Sequence, residues 1–165
     1  MTSQQSSIRT YDLLLKGGRV IDPANNVDDL LDVAISGRHI ALVAKDISPA
    51  LARTVADVSG HVVTPGLVDI HAHFYGIIGS VLPDAHCIPQ GTTTAVDAGG
   101  SGHLTFDHFN ESVISPSIMN IFALLNIVGE GMVALPEQGP AAMCADLTAD
   151  EIAHRPHRIV GVKVA

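Results

Sequence analysis

Residues 66–73, "GLVDIHAH", form a short and nearly continuous apolar run. A half-exposed strand alternates apolar with polar residues. A run without that alternation suits a strand covered on both faces, as in parallel sheets. Three later runs share the character: "TTTAVDAG" (92–99), "IMNIFALLNIV" (118–128) and "RIVGVKVA" (158–165). Helical stretches separate them. Residues 101–115 carry Leu104, Phe106, Phe109, Val113 and Ile114 at helical spacing, and Thr148 followed by Glu151 is a capping-box pattern that predicts a short helix starting there. Parallel strands need long crossovers, so this alternation predicts an α/β fold built from β/α units.

Upstream of Pro65-Gly66 the pattern differs. Residues 11–64 read as short alternating strands, with "KGG" (16–18) and "SGR" (36–38) placed as hairpin turns are. The expected organisation is a loose N-terminus (1–10), a small antiparallel β domain forming part of a β-sandwich (11–64), and about four β/α units (65–165). A complete (β/α)8 barrel of the TIM type needs ~250 residues, so four units make the first half of one. An open half-barrel exposes apolar strand edges. The chain therefore reads as the N-terminal part of a larger protein, truncated after strand 4. The competing architecture is a complete four-stranded doubly wound domain.

Composition narrows the function classes. With 47% apolar and 16% charged residues the chain can bury a core. A net charge of −8 without a Lys/Arg cluster argues against a nucleic-acid surface. Cys87 and Cys144 are too few for a disulfide framework and fit a reducing compartment, although a single bridge stays open. The start "MTSQQSSIRTYD" lacks the pattern of a signal peptide, and no apolar run approaches the ~20 residues of a membrane span. A soluble, cytoplasmic protein with a small-molecule substrate is expected, with homo-oligomer formation by the intact protein open.

Side chains alternate along a strand, so His71 and His73 share a face, and strict alternation adds Asp69 to it. At the end of a parallel strand two neutral imidazoles can hold a divalent ion such as Zn²⁺. In a chain with nine histidines, however, an isolated His-x-His is more often a hydrogen-bonded core feature. Lys163 lies inside the apolar run 158–165, where a bare ammonium is costly to bury. Asp97 and Asn126 fall at strand C-terminal ends, where barrel enzymes place functional groups, and capping roles are equally open to them. The glycine-rich "DAGGSG" (97–102), with Gly99, Gly100 and Ser101, either cradles an anion with its N–H groups or is a tight loop before a helix. His103, His108, His154 and His157 read as surface groups, and Cys87 lacks a base that would make it a nucleophile.

"YDLLLKGGRVID", "VTPGLVDIHAH", "LPDAHCIPQGTTTAVDAGGSG", "IFALLNI" and "IVGVKVA", in this order, resemble the amidohydrolase superfamily of metal-dependent hydrolases. Within it they are most similar to the dihydroorotase-like amidohydrolase/deacetylase branch, whose members include N-acyl amino-acid deacetylases. The resemblance runs from Tyr11 to Ala165. It implies that His71 and His73 bind one metal and that Lys163, carbamylated by CO₂, bridges two. That chemistry needs the uncharged amine. It further implies two histidines from the fifth and sixth strands and a general-base aspartate from the eighth, all beyond residue 165. The implied reaction is attack of a metal-bound hydroxide on an amide carbonyl, deacylating an N-acyl amino acid or related small molecule. Dihydroorotases carry an arginine two residues after the second motif histidine, and Tyr75 stands there instead. A cyclic amidase of the dihydroorotase or hydantoinase kind and a non-catalytic anion-binding α/β module are the alternatives.

Overall fold

The structure is a computed structural model that describes residues 9–133 and 139–164. The expected loose N-terminus lies mostly outside the described residues. The chain divides into two compact units, residues 1–65 and 66–165.

The first unit holds five strands: β1 (Tyr11–Asp22), β2 (Val27–Ser36), β3 (His39–Ala44), β4 (Ala52–Asp57) and β5 (Val62–Val63). They form one sheet in the order β3-β2-β1-β4, with β5 also pairing β1. The β1–β2 and β2–β3 pairs are antiparallel, as expected, but β4 and β5 run parallel to β1. The unit is therefore a mixed sheet, one β-sandwich-like layer. "SGR" does form the β2–β3 turn. "KGG" does not turn the chain: it lies within β1, where the register against β2 shifts between Leu15 and Gly18. Gly17, at φ +79, supplies the bulge. The connection to β2 comes later, through Pro23–Asn25 and the left-handed Asn26.

Beneath that bulge Asp32 is almost fully buried. Its carboxylate accepts hydrogen bonds from Lys16 Nζ (2.7 Å) and from the N–H groups of Gly17 (2.8 Å) and Ile47 (2.9 Å). Burial alone would raise the Asp32 pKa, but the Lys16 ammonium and the two N–H groups outweigh it and hold the carboxyl below its ordinary range. Leu14, Ala34, Ile47 and Ala52 form the small apolar core of this unit.

The second unit alternates β6 (Leu67–Ala72), α1 (Pro83–Cys87), β7 (Thr92–Gly102), α2 (Phe106–Phe109), β8 (Asn120–Asn126), α3 (Ala145–His154) and β9 (Ile159–Lys163). All pairs are parallel and the strand order is sequential, β6-β7-β8-β9. A doubly wound sheet reverses its strand order at a switch point, and this one does not. Right-handed crossovers that advance in one direction place every helix on the same face, the arrangement of (β/α) barrels. Phe74, Cys87, Ala95, Phe106, Phe109, Ile114, Met119, Ile121, Ala123, Leu125 and Ile159 pack as the core on that helical face.

Three local expectations are corrected. The β6 and β9 runs are not covered on both faces: they are the sheet edges, and Leu67 (56%), Ile70 (74%) and Val160 (55%) are exposed. The helix anticipated over 101–115 starts only at Phe106, because β7 continues through Gly102, and a π-helical turn carries the chain from Asn110 to Ile114. The capping box does not form either. Helix α3 starts earlier, at Ala145, with Thr148 inside it donating its hydroxyl to Cys144 O (2.7 Å) and Glu151 pairing with Arg155 (2.8 Å).

Candidate metal centre at the strand ends

Strand β6 delivers the histidines through an irregular register. Asp69 pairs with Ala95, and Ala72 pairs with Asp97, so β6 fits one residue more than β7 between these two pairs. Paired residues share a face, and Ala95 belongs to the helix-side core. Asp69 and Ala72 therefore lie on the helical side, and His71 and His73, flanking Ala72, lie on the other. Their rings meet edge to face, with centroids 5.3 Å apart. Asp69 does not join them, as strict alternation had suggested. Its carboxylate instead accepts the His71 N–H (3.0 Å) across the irregular step.

Register places Lys163 in the same way. Ala123 pairs with Ile159 on the helical side, but Leu124 pairs with Gly161 and Asn126 with Lys163, so β9 also fits one extra residue. That shift turns Lys163 onto the helix-free face shared by His71 and His73, at the C-terminal ends of the strands. The side chain is half-buried. Among the described residues its amine makes no ion pair.

Asp97 is fully buried, and its carboxylate accepts the N–H groups of Phe74 (2.8 Å) and Gly100 (2.7 Å). It thus ties the segment just after His73 to the end of β7. Burial pushes the Asp97 pKa up, and the two N–H groups and nearby His73 only partly offset this. Asn126, also fully buried, donates its Nδ2 hydrogen to Gly99 O (3.1 Å) and accepts the Val128 N–H at Oδ1 (3.0 Å). Both polar side chains fasten neighbouring strand ends to one another.

Two N–H groups of the glycine-rich stretch are already taken within the protein. The Gly100 N–H is taken by Asp97, and the Gly102 N–H is donated to Thr105 Oγ1 (3.1 Å). Ser101 is fully buried, with its hydroxyl lacking a partner among the described residues. Gly99 serves a different purpose. It sits at φ +89, and a Cβ there would lie 2.6 Å from Lys163 Cβ and collide with Lys163 Cγ as well. The lysine stem rests directly on the glycine backbone, a contact that residue spacing does not reveal.

The remaining side chains have simpler surroundings. Tyr75 turns to the helical layer, stacked on Phe109 (5.0 Å) with its hydroxyl 3.0 Å from His108 Nδ1. His154 binds the Asp150 carbonyl at an exposed helix end, and His157 is exposed. His103, expected at the surface, instead packs over Gly129 with its Nδ1 buried. Burial raises the Cys87 thiol pKa, which suits a core residue and not a nucleophile.

His73 Nδ1 is buried and has no hydrogen-bond partner among the described residues, as suits an imidazole that binds a metal ion. Among the described residues no group of three or more His, Cys, Asp or Glu side chains could hold a metal. By register, the two imidazoles and the Lys163 amine share the helix-free face, and paired imidazoles are suited to a divalent ion. No helix among the described residues is long and apolar enough to cross a membrane.

No family model matches the chain. A deacetylase of Agrobacterium fabrum is 34% identical over 140 residues, which cover 81% of this chain and 34% of that protein. A deacetylase of Enterococcus faecalis is 30% identical over 156 residues, 93% of this chain and 41% of that one. Among solved structures, a dihydroorotase matches with a TM-score of 0.78 at 29% identity, over 91% of this chain and 41% of its own. A D-aminoacylase described with a binuclear metal centre matches with a TM-score of 0.56 at 28% identity, over 87% and 34%. The chain spans between a third and about two fifths of the length of the two deacetylases. With likeness in sequence and in fold each extending over more than nine tenths of its length, the chain belongs to the amidohydrolase superfamily.

Proposed function

We propose that this chain supplies the first part of the active site of a metal-dependent hydrolase that deacylates an N-acyl amino acid or a related small molecule. The observation that supports the reading is that two register shifts leave His71, His73 and Lys163 facing the same, helix-free side of the sheet at the C-terminal ends of its two outer strands. In this reading His71 and His73 ligate one ion. Lys163 would contribute as a carbamate, its amine nitrogen adding to CO₂ and giving up a proton to solvent, so that anionic oxygens would be available as further metal ligands. Bound zinc would supply Lewis acidity toward the amide carbonyl and acidify water at neutral pH. Asp97 keeps the histidine segment docked on β7, and Asn126 holds the β7 end beside the lysine.

In sequence, deacetylases match most of the chain whereas a Geobacter sulfurreducens dihydroorotase matches 61 residues of it, which supports amide deacylation, while the shared fold extends to a dihydroorotase over 91% of the chain and does not separate the two. Tyr75, turned to the helical layer, also offers no cation for a substrate carboxylate. The anion-binding module loses its main support with the occupied N–H groups of Gly100 and Gly102.

The test uses the native-length protein purified with its metals. The expected result is one or two zinc ions per chain and turnover of N-acetyl amino acids above dihydroorotate. His73→Ala should lower zinc affinity by about 10- to 100-fold or more. A native-length protein that binds no zinc and cleaves no amide would overturn the reading.

A further inference from the structure

Lys163 could not reach the helix-free face along its present path if β7 carried a side chain at position 99. The Gly99 backbone is held at φ +89, a conformation that L side chains rarely adopt, and an added Cβ would lie 2.6 Å from Lys163 Cβ. Asn126 fixes that backbone from the next strand by donating to Gly99 O (3.1 Å), while its own Oδ1 is anchored by the Val128 N–H (3.0 Å). On the other side the Lys163 carbonyl accepts the Ile127 N–H (3.0 Å), so the lysine backbone is fastened to the same strand end. Three consecutive strands therefore meet around one side chain.

We propose that Gly99 and Asn126 are positioning residues that form a seat for the aliphatic stem of Lys163 and so aim its amine at the face carrying His71 and His73. Asn126 sets the height of the seat and Gly99 leaves it empty. A lysine side chain has four rotatable bonds, and an unconstrained one samples many positions at an entropic cost to any ligand geometry. Packing the stem on a rigid glycine removes part of that freedom before an ion arrives. The inference rests on the proposed metal-hydrolase reading for its purpose, but the seat itself is a property of the metal-free protein.

Gly91 provides the control. It also has a positive φ, +85, yet an added Cβ there meets nothing within 4 Å. Gly91→Ala thus carries similar backbone strain without touching the lysine. In the native-length, metal-free protein, the stability loss from Gly99→Ala should exceed that from Gly91→Ala. It should shrink when Lys163→Gly is added, since the collision partner is then gone. If Gly99→Ala is too unstable to purify, recovery of folded protein in the double variant demonstrates the same coupling. Equal losses with and without the lysine, or no recovery, would overturn the seat.

Zinc binding then tests its purpose by equilibrium dialysis. Gly99→Ala should weaken zinc affinity by about 10- to 100-fold while Gly91→Ala stays within about twofold. Wild-type affinity in Gly99→Ala would overturn the positioning role. If the wild-type protein binds no zinc, the reading of the site falls instead, and the metal-free coupling still decides the seat.

Discussion

Asp32 shows how one buried carboxylate can secure an irregular strand. It satisfies the N–H of the bulge residue Gly17, the N–H of Ile47 and the amine of Lys16. Its pKa is depressed on folding, so its stabilising contribution is present above the ordinary value near 3.8 and is lost as pH falls through the folded value. Asp32→Ala should cost about 3 kcal/mol at pH 7, where buried donors lose a charged acceptor, and the gap to wild type should narrow in acid. Urea denaturation at pH 7 and at about pH 3 measures both, and an equal gap at the two values would refute the linkage. Residue chemistry alone did not suggest this role, and for Asp97 it left a capping role and a functional one equally open. Both aspartates were visible as letters, but their acceptor work depends on backbone N–H groups brought in from distant positions. Asp97 illustrates the difference: a carboxylate at a strand end reads equally as a functional group or a cap, and the N–H groups of Phe74 and Gly100 show it capping.

At the level of elements, the parallel strands were readable because apolar runs and crossover lengths depend on local sequence. Three of these strands have both boundaries within two residues of expectation: β6 at Leu67–Ala72, β8 at Asn120–Asn126 and β9 at Ile159–Lys163. Register was less readable. Period-two alternation placed His71 and His73 together correctly but misplaced Asp69, since an extra residue in β6 breaks the alternation between them. "KGG" failed for a related reason, because a glycine with positive φ serves a bulge as well as a turn. Helix α3 shows a third kind of ambiguity. Thr148-x-x-Glu151 fits a cap, but Cys144 occupies that position and Thr148 binds back to the Cys144 carbonyl. Thr148→Val, nearly isosteric, should therefore change stability by no more than about 0.5 kcal/mol, since back-bonding within a helix adds little. A loss of about 1 kcal/mol or more in denaturant unfolding would indicate a true cap.

For the molecule as a whole, the parallel sheet ends on both sides in strands with exposed apolar residues, among them Ile70 on β6 and Val162 on β9. Unprotected edges of this kind pair with other chains. The 165-residue chain on its own should self-associate as concentration rises, as seen by light scattering. Ile70→Lys and Val162→Lys together should shift it toward monomer, and unchanged association would place the sticky surface elsewhere.

The sequential strand order also bears on biosynthesis. Every strand of the parallel sheet pairs with its neighbour in the chain. Such a sheet can grow one unit at a time as the polypeptide emerges, without waiting for a distant partner. The glycine, the asparagine and the lysine that meet at the end of β9 would then come together on the nascent chain once that strand is made.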